Sequence, residues 1–260
     1  MDTVYLCAFA FLAGFVDSVV GGGGLIQMPA LFIFLPASMS ASVATVAGTN
    51  KMASICGTSM AVVQYTRRVR INWRTILPAG MTAFVFSFLG ARIVTLLDPR
   101  VMKPVILGLM IAVAGYTFLR KSFGDHHAPR LAPGKEAWAG LLVGAGIGFY
   151  DGFFGPGTGS FLIFIFISIF GFDFLIASAS AKVINCATNL SAVGYFAATG
   201  HILYQYALPM GACNILGSLA GTRMAILKGN AFVRVFFLVV VTAMIARFGW
   251  DVLSPLLPRR

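Results

Sequence analysis

Gly14-Phe15-Val16-Asp17-Ser18-Val19-Val20-Gly21-Gly22-Gly23-Gly24-Leu25 places one acid and four consecutive glycines inside an otherwise apolar run. The pattern returns as Gly148-Phe149-Tyr150-Asp151-Gly152-Phe153-Phe154-Gly155-Pro156-Gly157-Thr158-Gly159. At an offset of 134, Gly14, Phe15, Asp17, Gly21 and Gly23 meet Gly148, Phe149, Asp151, Gly155 and Gly157. Glycine-interrupted apolar segments at corresponding positions of two halves point to a transporter's binding site.

The rest of the composition agrees. Of 260 residues, 58% are hydrophobic and only 10% charged, and mean hydropathy is +0.89. A soluble domain carries about 25% charged residues, so this is an integral membrane protein. The net charge of +11 sits largely in short loops, with Arg67, Arg68, Arg70 and Arg74 in one and Arg120, Lys121, Arg130 and Lys135 in another. Basic loops between apolar spans set topology and touch anionic headgroups of the bilayer. No soluble module remains to bind nucleic acid. Cys7, Cys56, Cys186 and Cys213 are scattered through apolar segments without a C-x-x-C pair and read as small core residues. Met1-Asp2-Thr3 lacks a basic n-region, so the first apolar run is expected to be a retained span.

Apolar runs fall at 4–20, 25–35, 41–66, 75–97, 101–119, 137–154, 158–170, 173–199, 204–227 and 232–253. Spanning the hydrocarbon core takes ~20 helical residues. Runs 25–35 and 158–170 fall short and read as half-helices after an unwound glycine segment, which must face protein or a wet cavity. The polar segment 120–136 divides a first repeat (1–119) from a second (137–260). Its His126 and His127, next to Asp125, are a solvated pair that reads as loop rather than a metal site, and no metal or cofactor is expected. Beyond the glycines the repeat continues at an offset of 131: Lys51 meets Lys182, Pro78 and Gly80 meet Pro209 and Gly211, and Gly90 and Arg92 meet Gly221 and Arg223.

The ionisable residues inside apolar runs stand in register. Asp17, Lys51 and Arg92 of the first half match Asp151, Lys182 and Arg223 of the second. A charge at the bilayer centre costs ~2.5–3.5 kcal/mol even on the lenient insertion scale, so the repetition argues for a site. Lys51, Ser54 and Thr58 share one helix face, extended by Asn50, and Lys182, Asn185 and Asn189 repeat the spacing. Asp17 and Asp151 are counter-charges for the lysines, or groups that couple proton movement to transport; Arg92 and Arg223 are further candidates for charge balance. Half-helices beginning after Gly22, Gly23 and Gly24, and after Gly157, Thr158 and Gly159, present positive dipole ends. Lysines, amides and helix N-termini all favour a small anion. The competing reading of these charges is a buried Asp–Lys bridge that only orders the bundle.

Gly-Pro-Gly-Thr-Gly-Ser (155–160) is not followed by the Gly-Lys-Ser/Thr of a phosphate loop, and neither Ser18, Ser160 nor His201 has a nucleophile–base partner nearby in sequence. No enzyme is expected.

At Gly-Phe-Val-Asp-Ser-Val-Val-Gly-Gly-Gly-Gly-Leu-Ile (14–26), Ala-Gly-Thr-Asn-Lys (47–51), the arginine-rich loop ending Ile71-Asn72-Trp73, and Gly-Ala-Arg (90–92), the chain resembles the TauE/SafE family of small membrane transporters over essentially its whole length. The resemblance implies a bacterial inner-membrane transporter, usually an exporter, of a small inorganic or organic anion such as sulfite or a sulfonate. The second half departs from the family pattern: Gly155-Pro156-Gly157-Thr158-Gly159 replaces four glycines, and Ala181-Lys182 replaces Asn50-Lys51.

The fold expected is an all-α integral membrane protein of two homologous repeats, each of four to five helical segments with a Gly-broken first helix. Arg67, Arg68, Arg70, Arg74, Arg120 and Lys121 of the first copy correspond to Ala198, Thr199, His201, Gln205, Asp251 and Val252 of the second. Losing six basic residues is what the positive-inside bias selects in a flipped copy, so inverted repeats are favoured. An anion channel and a non-transporting membrane partner are the alternatives.

Overall fold

The computed structural model describes residues 2–40, 42–93, 128 and 130–253. The apolar run 101–119, Arg120, Lys121 and both histidines of the 120–136 segment lie outside the described residues. Those described form helices and connections, with no strand among them. In order they are α1 (Asp2–Val20), α2 (Gly24–Phe34), α3 (Ala37–Ser40), α4 (Val43–Thr66), α5 (Trp73–Ile93), α6 (Pro133–Phe153), α7 (Thr158–Ile165, continued by a π turn at Phe166–Phe170), α8 (Phe174–Ala198) and α9 (Tyr204–Leu253). Runs 204–227 and 232–253 abut as one element broken at Gly229, where φ is 68° and ψ −162°.

Both long central helices start on a side-chain cap. The Ser42 hydroxyl accepts from the Thr45 amide at the start of α4. The Asp173 carboxylate accepts from the Ile176 amide at the start of α8, at 2.8 Å. These caps satisfy donors that a helix start leaves without intrahelical partners.

The Gly-broken first helix is a hairpin rather than one interrupted rod. Tyr5 and Phe9 of α1 pack their rings on Phe34 at the far end of α2, with centroids 5.2 and 5.7 Å apart. Gly23, at the near end, lies against Ala13 and Asp17. The chain therefore turns back on itself at Gly21–Gly23. A second reversal at Phe154–Gly157 joins α6 to α7. The tips of the two hairpins touch: Gly21 abuts the backbone of Gly159 and Ser160, and the Ser160 hydroxyl donates to the Val20 carbonyl at 3.0 Å.

Glycines set the helix pairing. Gly140, Gly144, Gly148 and Gly152 of α6 seat in turn on Thr75, Ala79, Ala83 and Ser87 of α5, so these helices run parallel. Gly217 of α9 seats on Phe11 and Phe15, and Gly221 on Phe15 and Ser18, so α9 runs parallel to α1. Close backbone approach through small residues is how helices associate in lipid, where apolar burial supplies no drive. At the centre α4 and α8 run antiparallel. The Asn189 amide reaches the Thr58 hydroxyl at 3.5 Å, while at the other end Gly48 lies against Phe196 and His201.

The outer faces are apolar. Leu77, Met81 and Val85 of α5, Trp138 and Leu142 of α6, and Leu208 and Leu216 of α9 are all exposed. Thr3–Val20 and Trp73–Ile93 are long and apolar enough to cross a bilayer. An exposed surface of this composition suits acyl chains rather than water.

Candidate functional site

The two glycine reversals, α4 and α8 enclose a cavity of about 30 Å³, room for about two waters or one compact ion. Its lining comprises Asp17, Gly22, Gly24, Asn50, Lys51, Ser54, Asp151, Gly155, Gly157, Thr158, Gly159, Asn185 and Asn189. Every one is a glycine or a polar residue.

Two ion pairs hold the site, and each joins one half of the chain to the other. Lys51 Nζ lies 2.6 Å from Asp151 Oδ2, with both side chains 6% exposed. Lys182 Nζ lies 2.9 Å from Asp17 Oδ2, with the lysine side chain fully buried and the aspartate 21% exposed. The pairing crosses over because the hairpin tips meet between α4 and α8, so each tip's aspartate faces the other half's long helix. The second oxygen of Asp17 accepts a long bond of 3.4 Å from the Gly23 amide.

The glycines allow this approach. A Cβ on Gly155 would press on the Lys51 ammonium, and one on Gly159 would strike the Gly21 backbone and the Asn185 amide, with the Lys182 ammonium in contact beyond. Gly155 and Gly157 take φ of 85° and 87°, a conformation that other residues resist. The N-termini of α2 and α7 both open at the cavity, at Gly24 and Thr158. Asn50 Oδ1 and Asn185 Oδ1 are buried and have no hydrogen-bond partner among the described residues, an arrangement that costs free energy unless a donor arrives.

Of the residues selected from sequence, Asp17, Gly22, Gly24, Asn50, Lys51, Ser54, Asp151, Gly157, Thr158, Gly159, Asn185 and Asn189 come together here. Lys182 stands behind the wall and reaches the cavity through Asp17. Thr58 sits one helical turn below, receiving Asn189. Gly23 has helical φ and ψ of −55° and −33° and packs against α1 instead of lining the space. Arg92 and Arg223, expected to balance charge, are exposed on the surface and take no part in the lining. Long basic side chains reach outward from apolar helices to polar surroundings, which a one-dimensional run conceals. Gly155 is the lining residue that sequence selection passed over, although its correspondence to Gly21 was available. No group of three or more His, Cys, Asp or Glu residues suited to a metal occurs among the described residues.

Comparison with known proteins places this arrangement in a family. Residues 6–248 match the family described as Sulfite exporter TauE/SafE. A probable membrane transporter protein, ORF9, of Sinorhizobium is 36% identical over 255 residues, covering 97% of this chain and 94% of its own. A probable membrane transporter protein of Haemophilus influenzae is 34% identical, covering 95% and 94%. The probable membrane transporter protein YfcA of Escherichia coli K12 is 33% identical, covering 93% and 87%. No solved structure matches. The chain belongs to the TauE/SafE family of membrane transporter proteins.

Proposed function

We propose that this TauE/SafE family member is a multi-pass secondary transporter of the bacterial inner membrane. It moves a small sulfur oxyanion such as sulfite, and the family description favours export as the direction. The observation that carries the reading is the crossed pair of Asp–Lys bridges around a polar cavity between two glycine reversals. An anion competes with Asp151 for the Lys51 ammonium, assisted by the amides of Asn50, Asn185 and Asn189, the hydroxyl of Ser54, and the dipoles of α2 and α7. The lining offers no apolar side chain to an alkyl group, which favours an inorganic oxyanion over an organosulfonate; ligand pockets for organic molecules are predominantly apolar. A cavity of about 30 Å³ with its lysine held in an ion pair also favours a transporter over an open anion channel.

Two inverted repeats are part of the proposal. The antiparallel crossing of α4 and α8 at Thr58 and Asn189 supports it, since those residues correspond at the offset of 131. So does the exchange of partners, with α1 on α9 and α6 on α5. Alternating access then takes the form of one repeat rocking against the other about the meeting glycine tips. Single cysteines at 69 and 200, in a background without the native four, should label from opposite faces of the membrane; labelling from one face defeats the inverted reading.

The functional test is uptake of labelled sulfite by proteoliposomes of the purified protein, with methanesulfonate and taurine as competitors. Saturable sulfite movement that Lys51→Met reduces at least tenfold is expected, with little competition by taurine. Sulfite movement by the wild-type protein no faster than in protein-free liposomes, or undiminished in the Lys51→Met variant, would sink the assignment.

A further inference from the structure

We infer that Gln27 and Asn214, which stand outside the cavity lining, are positioning residues of the anion site. They form a buried relay that fixes the start of α2 against α4 at Asn50, and so sets where an anion meets Lys51; this rests on the reading of the cavity as an anion site. The Asn214 side-chain amide, on α9, donates to the Gln27 side-chain carbonyl at 2.8 Å. The Gln27 amide donates in turn to the main-chain carbonyl of Asn50 at 3.2 Å. Gln27 is fully buried and Asn214 is 3% exposed. Side chains this dry need such partners, because burying an amide unpaired is costly. Gly14 of α1 and Gly57 of α4 make room for the relay: a Cβ on either would strike the oxygens of Asn214.

Buried amides between membrane helices often serve only to hold the helices together. Here packing alone does not call for them. Contacts recur between residues related by the two sequence offsets. The Ser218 hydroxyl donates to the Gly57 carbonyl at 2.6 Å, and its counterpart Ser87 donates to the Thr188 carbonyl at 3.0 Å. Gly221 abuts the Phe15 backbone as Gly90 abuts that of Phe149, and Gly14 meets Asn214 as Gly148 meets Ala83. Because α2 starts at Gly24 and α7 at Thr158, the offset of 134 carries Gln27 onto Phe161. The offset of 131 carries Asn50 onto Ala181 and Asn214 onto Ala83. All three members of the relay therefore have apolar counterparts. Phe161 is 7% exposed and meets Tyr150 edge-on, and both alanines are fully buried. The second half packs the corresponding helices with no amide at any of these positions.

The cavity is unequal in the same sense. Asn50 and Lys51 line it from α4, whereas Ala181 and Lys182 of α8 do not. The relay thus stands behind the half that presents its ammonium to the cavity. Gly24, three residues before Gln27, lies in the lining at the start of α2. The bond from Gln27 to Asn50 keeps the free amides of that helix start at a fixed spacing from the Asn50–Lys51 face. An anion held by both loses affinity when the spacing relaxes, because a site is only as tight as the groups that support it.

The test is sulfite uptake by proteoliposomes of the full chain over a range of sulfite concentrations, with the thermal midpoint of each protein measured in detergent. Gln27→Met/Asn214→Leu replaces both amides by apolar groups of similar volume and strands neither, so its midpoint should stay near that of wild type. Its KM for sulfite should rise about fivefold, the scale of one ordinary hydrogen bond, with the maximal rate per folded protein kept. Because the relay runs from Asn214 through Gln27 to Asn50, Gln27→Met alone should raise KM as far as the double variant does, and Asn214→Leu should raise it less. Gln27→Met should also be the less stable of the first two, since it leaves the Asn214 amide unpaired. Saturable uptake with the wild-type KM in the double variant overturns the inference, as does a KM that responds more to Asn214→Leu than to Gln27→Met. A double variant that cannot be recovered folded overturns it too, because the pair then holds the fold rather than the site. Absence of saturable uptake by wild type overturns the anion-site reading instead, and the inference falls with it.

Discussion

The two glycine reversals make the same turn with different chemistry. The first, at Gly21–Gly23, has its own bonds from the Gly21 and Gly23 amides to Asp17 and is clamped besides from outside. Hydroxyls of Tyr65, Ser178 and Ser160 donate to the carbonyls of Ser18, Val19 and Val20, so α4, α8 and α7 each satisfy one of the acceptors that end α1. The second, at Phe154–Gly157, closes on itself. The amides of Phe154 and Gly155 donate to the Tyr150 carbonyl, the Thr158 hydroxyl to the Gly155 carbonyl, and the Tyr150 hydroxyl to the Pro156 carbonyl. Four glycines suffice where the rest of the protein supplies the bonds. Where the turn must supply its own, a proline, a threonine and a tyrosine take their place. The structural information for one reversal is therefore distributed, and that for the other is local.

The largest expected contrast follows from how each turn meets its neighbours. Gly21 combines φ of 76° with direct contact on the Gly159 backbone, which cannot yield. Gly155 has φ of 85°, but a Cβ there would meet the Asp151 carbonyl and the flexible end of Lys51 only at 3.2 Å, a tight contact that small shifts relieve. Gly21→Ala should leave little folded protein. Gly155→Ala should cost about 1–2 kcal/mol for the left-handed conformation, with impaired transport through Lys51. Monodisperse protein recovered in detergent, and its thermal midpoint, check both. Equal yields would erase the distinction between the two turns.

The ion pairs extend the comparison at smaller scale. Lys51→Met leaves Asp151 unpaired and nearly dry, so a loss of about 3–5 kcal/mol is expected. Lys182→Met leaves Asp17, which retains contact with the cavity, and should cost less. Adding Asp151→Asn to Lys51→Met should restore most of the stability and none of the transport. Thermal shift and sulfite uptake on the four proteins test this; a double variant as unstable as Lys51→Met contradicts it.

Much of this was legible in the sequence. The paired glycine stretches located both breaks in the helices, because four glycines, or Gly-Pro-Gly-Thr-Gly, do not sustain a helix inside an apolar run; that the chain reverses there was not legible. The registered Asp17, Lys51, Asp151 and Lys182 located the charges, because charge in an apolar segment needs a partner. Which aspartate meets which lysine was not legible, since it depends on how the tips of two distant hairpins fit between α4 and α8. Arg92 and Arg223 looked like the other registered charges, yet run membership carries no information about which face of a helix looks outward. Ser160 and Ser178 gave no signal as partners of α1, because a serine in an apolar helix looks the same whether it bonds its own backbone or a neighbour's.

The smallest effect probes the clamps themselves. Tyr65→Phe removes the donor to the Ser18 carbonyl in a region that is fully buried. No water can replace it, so the cost should approach the upper part of the range for an orphaned buried acceptor, about 1–3 kcal/mol. Tyr150→Phe removes the donor to the Pro156 carbonyl, which belongs to a turn bordering the polar cavity. Water admitted there can take over the bond, so the cost should fall nearer the net worth of one hydrogen bond, about 0.5–1.5 kcal/mol. Both variants keep their rings: Tyr65 packs in the main apolar cluster, and Tyr150 meets Phe161 edge-on with centroids 5.7 Å apart. The difference in thermal midpoint therefore isolates the hydroxyls. A larger loss in Tyr65→Phe means that the first reversal depends on bonds from distant helices. A larger loss in Tyr150→Phe would mean that the self-closed turn is the more fragile of the two, against the distributed-versus-local distinction drawn from their hydrogen bonds.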